Sequence, residues 1–160
     1  MPNEYRGQAT ATADLRFAIV VSSYNLNITD NLRRGAIETL ENAGVPADQI
    51  DVFWVPGAWE ISLVADRLAA QTQHPYAAII CLGAVIRGET THDQHINRQV
   101  SLSLGEIAIR SGIPVQFGLL TCNSLEQAIH RSGGNVGNKG QECAQAALEM
   151  ASLLNNLPFE

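Results

Sequence analysis

In the run Arg87-Gly88-Glu89-Thr90-Thr91-His92, one short segment gathers a guanidinium, a glycine, two hydroxyls and an imidazole. Where such a segment opens a helix, the unpaired main-chain N–H groups and the positive end of the helix dipole are receptive to phosphate. Glycine lets the backbone come close, and the threonine hydroxyls add donors. His92 falls in the first turn of that helix, and histidine is the side chain that gives and takes protons near neutral pH. The segment matches neither G-x-G-x-x-G nor G-x-x-x-x-G-K-[ST], which disfavours a dinucleotide or Walker-type site. His95 completes H-x-x-H, but a helical metal pair wants i,i+4 spacing or further ligands, and neither is found, so no metal is expected. Read by itself, the segment is either an anion site or an ordinary polar loop.

The elements that must hold this segment follow from the apolar pattern. Continuous apolar runs at Phe17 to Ser23, Asp51 to Val55, Tyr76 to Leu82 and Pro114 to Thr121 have strand length. Each precedes a stretch with helical spacing. After the first run, Thr29 is the expected N-cap of a helix that buries Leu32, Ala36, Ile37, Leu40 and Ala43 and ends at Gly44. After the second, Ile61, Val64, Ala65 and Leu68 form a stripe. After the third, a helix from about Thr91 carries Ile96, Val100, Leu104 and Ile107. Ser124 with Gln127 has capping-box spacing for a helix through Arg131. A last helix, beyond the glycine-rich SGGNVGNKG, presents Cys143, Ala146, Ala147, Met150 and Leu154. Strands apolar throughout, each followed by a helix, predict an α/β fold: a flavodoxin-like three-layer sandwich. Its four-stranded parallel sheet is ordered 2-1-3-4, with helices on both faces.

Ligands of such sheets collect beyond the carboxyl ends of the strands, so the residues that follow each strand are the candidates. They are Tyr24 and Asn25 after the first, Trp59 and Glu60 in PGAWE after the second, the opening segment after the third, and LLTCNS after the fourth. Tyr24 and Trp59 suit stacking on a flat heterocycle, or simple packing at a rim. Arg131 at a helix end and Lys139 in the glycine-rich stretch either complement a helix dipole or bind a ligand.

Composition sets the frame. The 160 residues, 46% of them hydrophobic, fit one domain (15–160) behind a polar arm (1–14). A formal charge of -6 and a pI near 5.1 speak against a nucleic-acid groove. No basic amphipathic or membrane-spanning stretch is present and no apolar leader opens the chain, so a cytoplasmic location is expected. Cys81, Cys122 and Cys143 share no C-x-x-C spacing and read as small buried hydrophobes in a reducing compartment.

Taken in order, YNLNIT, VPGAWEI, GAVIRGETTH, PVQFGLLT, LEQAIHRSG and GNKG-x-E-x-A resemble the lumazine synthase family from about Phe17 to Leu153. The resemblance implies an enzyme that condenses 5-amino-6-ribitylaminouracil with 3,4-dihydroxy-2-butanone 4-phosphate to the ribityllumazine, releasing phosphate and water, with no cofactor. It implies that Tyr24 stacks on the pyrimidine, with Asn25 beside it. Ala58, Trp59 and Glu60 would hold the ribityl chain and ring, and Ala84, Val85 and Ile86 would line the pyrimidine pocket. Glu89 and Thr90 would flank the butanone phosphate, and His92 would serve as proton donor. Phe117, Lys139 and Arg131, the phosphate clamp, would reach the site from a neighbouring subunit. It further implies a homo-oligomer of pentamers, with the short RSGGNVGNKG connection pointing toward a shell-forming 60-mer, and riboflavin synthase as a partner. The chain departs from the family at Asp93, Gln94 and His95, where an aromatic, an aspartate and another aromatic are usual. It departs also at Arg98 for asparagine and Gln99 for glutamate. A flavin-binding module and a catalytically silent shell protein are the alternatives.

Overall fold

The computed structural model describes residues 1–12 and 14–159. Its sheet comprises β1 (Phe17–Ser22), β2 (Ile50–Val55), β3 (Ala78–Ile86) and β4 (Val115–Cys122), in the order β2-β1-β3-β4. All three pairings are parallel, with Phe17 opposite Ile50 on one side and Ala78 on the other. The expected strand order is therefore found. Position in the sheet explains the composition of each strand. Central β1 is buried at every residue and β3 at its first seven, whereas edge strands β2 and β4 keep partly exposed positions.

Two apolar clusters lie on opposite faces. One, around Ile19, Val21, Ile80 and Leu82, is covered by α1 (Leu26–Asn42) and α5 (Lys139–Asn155). The other, around Val20, Ile79 and Cys81, is covered by α2 (Ile61–Ala70) and α3 (His92–Ser111). Fully burying one such aliphatic side chain is worth about 1.5–3 kcal/mol. Short α4 (Leu125–His130) follows β4, with Ser124 Oγ accepting from the Gln127 N–H at 3.2 Å, as the capping spacing predicts. Gln127 reaches back one residue further than a capping box requires, accepting from the Asn123 N–H at 2.8 Å.

Several local expectations are corrected. α1 begins three residues before Thr29: Asn25 is its cap, in the left-handed conformation (φ 61°) that Asn tolerates, and Thr29 is buried within the first turn. β3 continues to Ile86, because β4 pairs with it as far as Ile86↔Cys122. Gly83 is consequently a packing residue and no part of a turn; a Cβ there would lie 2.8 Å from Leu119 Cδ1. The glycine-rich stretch folds as a small antiparallel hairpin, β5 (Ser132–Gly134) and β6 (Gly137–Asn138), with Gly133 and Gly137 at positive φ. α5 turns a different face inward: Cys143, Ala144, Ala147, Leu148 and Ala151 are buried, while Met150 and Leu154 are about 40% exposed. Small residues win that face because α1 and α5 approach closely. A Cβ on Gly140 would meet the Leu32 carbonyl oxygen at 2.0 Å.

At the opposite end of the sheet from the strand exits, Asp51 accepts from Arg16 and, at 2.8 Å, from the Tyr76 hydroxyl. Burial works to raise the Asp51 pKa, but the hydrogen bonds from Tyr76 and Arg16 outweigh it and hold the carboxyl below its ordinary value. Burial and then Asp51 push the Tyr76 hydroxyl up to about 12. All three cysteines are buried as free thiols. No helix among the described residues is long and apolar enough to cross a membrane.

Candidate active site

The exits of β1, β2 and β3 are stitched together by main-chain bonds. The Ser23 and Tyr24 N–H groups donate to the Val55 and Pro56 carbonyls at 2.8 and 3.0 Å, which holds Tyr24 beside the PGAWE turn. Asn25 Nδ2 donates to the Ala84 carbonyl at 3.1 Å, joining the start of α1 to β3. The turn Ala58–Glu60 is a single 3-10 turn, closed on itself where Glu60 Oε2 accepts from the Gly57 N–H at 3.1 Å. That bond gives Glu60 a structural task besides any contact with a ligand.

These exits surround a cavity of about 610 Å³ lined by Tyr24, Asn25, Ala58, Trp59, Glu60, Ala84, Val85, Ile86, Thr90 and His92. Every one was a sequence candidate, and the volume lies within the usual range for small-molecule sites, about 300–1,000 Å³. Glu89 is exposed on the same loop without lining the cavity. Gly88 of the opening segment lines it too, and four further lining residues were not named as site candidates: Gly57, Asp93, Ile96 and Leu125. Asp93 and Ile96 lie on the first turns of α3; the helical period placed Ile96 on the inward face but not at the cavity. Leu125 arrives from α4, and no local signal marks it. Tyr24 is 73% and Trp59 55% exposed, so both rings offer free faces to a flat ligand.

At the loop itself the His92 N–H donates to the Thr90 hydroxyl at 3.3 Å, and the Gln94 N–H to the Thr91 carbonyl at 3.0 Å. Thr90, Thr91 and His92 are all exposed, so neither threonine is turned into the interior. The Arg87 N–H is fixed to the Cys122 carbonyl at 2.8 Å, anchoring the loop's own cation. Two carboxylates, Glu89 and Asp93, flank it. Of these three charged side chains only Asp93 lines the cavity; Arg87 lines a separate one with Asp93, Asn97 and Thr121, and Glu89 lines neither.

The remaining candidates are brought together elsewhere. Phe117, Arg131 and Lys139 line a second cavity of about 430 Å³ on the β4 edge, with Gln127, Val136 and Glu142, which the sequence did not point to. The Lys139 N–H donates to the Arg131 carbonyl at 2.9 Å, which clasps both ends of the β5–β6 hairpin and sets the two cations side by side. Among the described residues neither makes an ion pair within 4.0 Å. No three His, Cys, Asp or Glu side chains gather as a metal set among the described residues.

A family model described as 6,7-dimethyl-8-ribityllumazine synthase matches residues 14–155. A 6,7-dimethyl-8-ribityllumazine synthase of Rhodopirellula baltica is 54% identical over 138 residues, 86% of this chain and 88% of that protein. Among solved structures, a de novo designed Rossmann fold protein covers 71% of this chain and 90% of its own at a TM-score of 0.43 and 15% identity, too distant to carry any argument.

Proposed function

The chain belongs to the 6,7-dimethyl-8-ribityllumazine synthase family, and we propose that it carries out the family's reaction in a site shared between two subunits. It is a transferase of riboflavin biosynthesis that condenses 5-amino-6-ribitylaminouracil with 3,4-dihydroxy-2-butanone 4-phosphate. The observation that carries the shared site is the partition of its residues. The aromatics, the loop and His92 line one cavity, while Phe117, Arg131 and Lys139 line another on an exposed edge.

In this reading Tyr24 and Trp59 enclose the pyrimidine ring, with Asn25, Ala58 and Glu60 beside the ribityl chain and the β3 segment Ala84-Val85-Ile86 along the ring edge. Thr90 and the start of α3 receive the butanone phosphate, with Glu89 beside it. Arg131 of a neighbouring subunit supplies the charge that this loop, with Glu89 and Asp93, lacks; Lys139 and Phe117 come with it. The uracil amine attacks the ketone carbon and the carbinolamine loses water; loss of the C3 proton then expels phosphate from C4, and the resulting enol tautomerises to a ketone at C3. Ring closure of the ribitylamino nitrogen onto that new ketone expels a further water. His92 gives and takes the protons of these steps. Holding two reactants in register can be worth about 7–11 kcal/mol in the best intramolecular cases, which is why little other chemistry is asked of the protein.

Exposed apolar side chains support assembly. Leu102 and Ile109, one heptad apart on α3, are 67% and 88% exposed, and Val136 on the hairpin is 62% exposed. The same reading extends to pentamers, to their assembly as a shell, to riboflavin synthase as a partner and to the cytoplasm. Light scattering of the purified protein tests the mass. Mixing the two substrates and following lumazine absorbance together with released phosphate tests the activity; assembled protein without turnover would leave a silent shell protein instead.

A further inference from the structure

Trp59 stands half exposed, so the core does not grip its indole, and its placement depends on the main chain that carries it. That main chain is tied to α3 by one side chain. Gln99 Nε2 donates to the Trp59 carbonyl at 3.1 Å, while Gln99 Oε1 accepts from Ser62 Oγ of α2 at 2.8 Å and from Ser103 Oγ one turn along α3 at 3.1 Å. The amide's orientation is not ambiguous: a peptide carbonyl can only accept, so the atom facing it must be the NH₂. Both serine hydroxyls then point their protons at the oxygen. Ser62 is itself buried, on the first turn of the helix that the PGAWE turn leads into.

We propose that Gln99 is a positioning residue for this reaction, a strut from α3 that sets Trp59 against the pyrimidine substrate. The proposal rests on the reading of Trp59 as part of the pyrimidine half of the site. It also gives a physical meaning to the departure at this position. The glutamate usual in the family would, when ionised, set a carboxylate oxygen against the Trp59 carbonyl oxygen and donate nothing. Protonated, it could donate as Gln99 does. The strut touches nothing in the phosphate loop, so its loss should separate the two substrates.

The test uses the full assembled protein in a Trp54→Phe background, where Trp59 is the single remaining tryptophan. Gln99→Met keeps the side chain's length while removing donor and acceptors. Expected is a lower Trp59 fluorescence anisotropy, from a looser turn. The KM for the ribitylaminouracil should rise about 3–10-fold, the effect of one neutral hydrogen bond, with kcat and the KM for the butanone phosphate unchanged. In Gln99→Glu the uracil KM should stay near that of the background at acid pH and climb as the carboxyl ionises, a profile that simple loosening of the fold would not give. Unchanged anisotropy in Gln99→Met, equal shifts in both KM values, or a pH-independent Gln99→Glu each overturn the strut. Lowered anisotropy with neither KM changed would show instead that Trp59 is not on the pyrimidine side, and the proposal falls with that reading.

Discussion

Co-expression of two crippled chains, His92→Ala and Arg131→Glu, tests whether the site is shared between subunits. Alone, on the proposed role, His92→Ala should remove a general acid–base, a loss of ~10²–10⁴-fold in kcat, and leave the rest of the cavity lining in place. Arg131→Glu should remove the proposed charge-assisted contact to phosphate, worth about 1.5–3 kcal/mol, or roughly 10–150-fold in kcat/KM at about 1.4 kcal/mol per decade. The new carboxylate, joining Glu89 and Asp93, deepens that loss. The two residues line separate cavities of one chain, and the proposed shared site would have a head-to-tail ring set His92 of one subunit against Arg131 of the next. In a random equal mixture about one site in four receives both intact halves. The mixed assembly, isolated by two different tags, should therefore regain about a quarter of wild-type turnover in the lumazine absorbance assay. The doubly substituted chain mixed equally with wild type should also keep about a quarter, whereas a site contained within one chain would keep about half. A mixture no more active than the mean of its two parents, or a double-variant mixture at one half, refutes the shared site.

Three further outcomes follow from the fold. Gly140→Ala drives a methyl against the Leu32 carbonyl where α1 and α5 meet. It should cost about 1–3 kcal/mol, seen as a lower urea midpoint, and an unchanged midpoint would mean the helices part freely. The Tyr76 hydroxyl titrates at about 12 when folded against an ordinary 10, so its contribution is complete below pH 10 and is lost as pH rises toward 12. Tyr76→Phe should abolish that alkaline decline of the unfolding midpoint; persistence of the decline would place its source elsewhere. Burial raises the pKa of each thiol, Cys143 to about 11. At pH 8 the native protein should accordingly react with a thiol reagent far more slowly than the urea-unfolded chain, and equal rates would contradict the burial.

The sheet was legible because a parallel sheet covered on both faces demands strands apolar throughout, and such runs as FAIVVS cannot be mistaken for amphipathic ones. Its order followed from the alternation of strands and helices. What the period could not reveal was decided by contacts between distant segments. β3 outran its apolar run because β4 offered partners as far as Cys122. α5 turned alanines inward because Gly140 lets α1 come close, a fact invisible in α5 alone. The hairpin Ser132–Asn138 hid in a stretch whose glycines read only as loop. Most of the candidate residues converge for the same topological reason: loops at one end of the sheet must meet. Leu125 and the Gln99 bond escaped, the latter linking positions 40 residues apart.

The placement of charge argues that the cavity of one chain is unfinished. Its loop can offer a phosphate the end of a 20-residue helix and the Thr90 hydroxyl, yet sets the Asp93 carboxylate in the same cavity. A helix terminus contributes the equivalent of only about half a charge, too little to offset that carboxylate. Meanwhile Arg131 and Lys139 stand together with no ion pair within 4.0 Å among the described residues and with Glu142 as the one carboxylate lining their cavity, on an edge where Phe117 and Val136 are also exposed. That edge therefore carries a net positive charge that the loop lacks. In the proposed shared site, joining them would bring the cations to the loop and cover two apolar side chains, so assembly and phosphate binding should reinforce one another. Because both depend on the same cations, added salt should weaken them together: raising ionic strength should increase the KM for the phosphate substrate more than that for the uncharged uracil. Equal sensitivity of the two KM values would show that the cations of the β4 edge serve assembly alone.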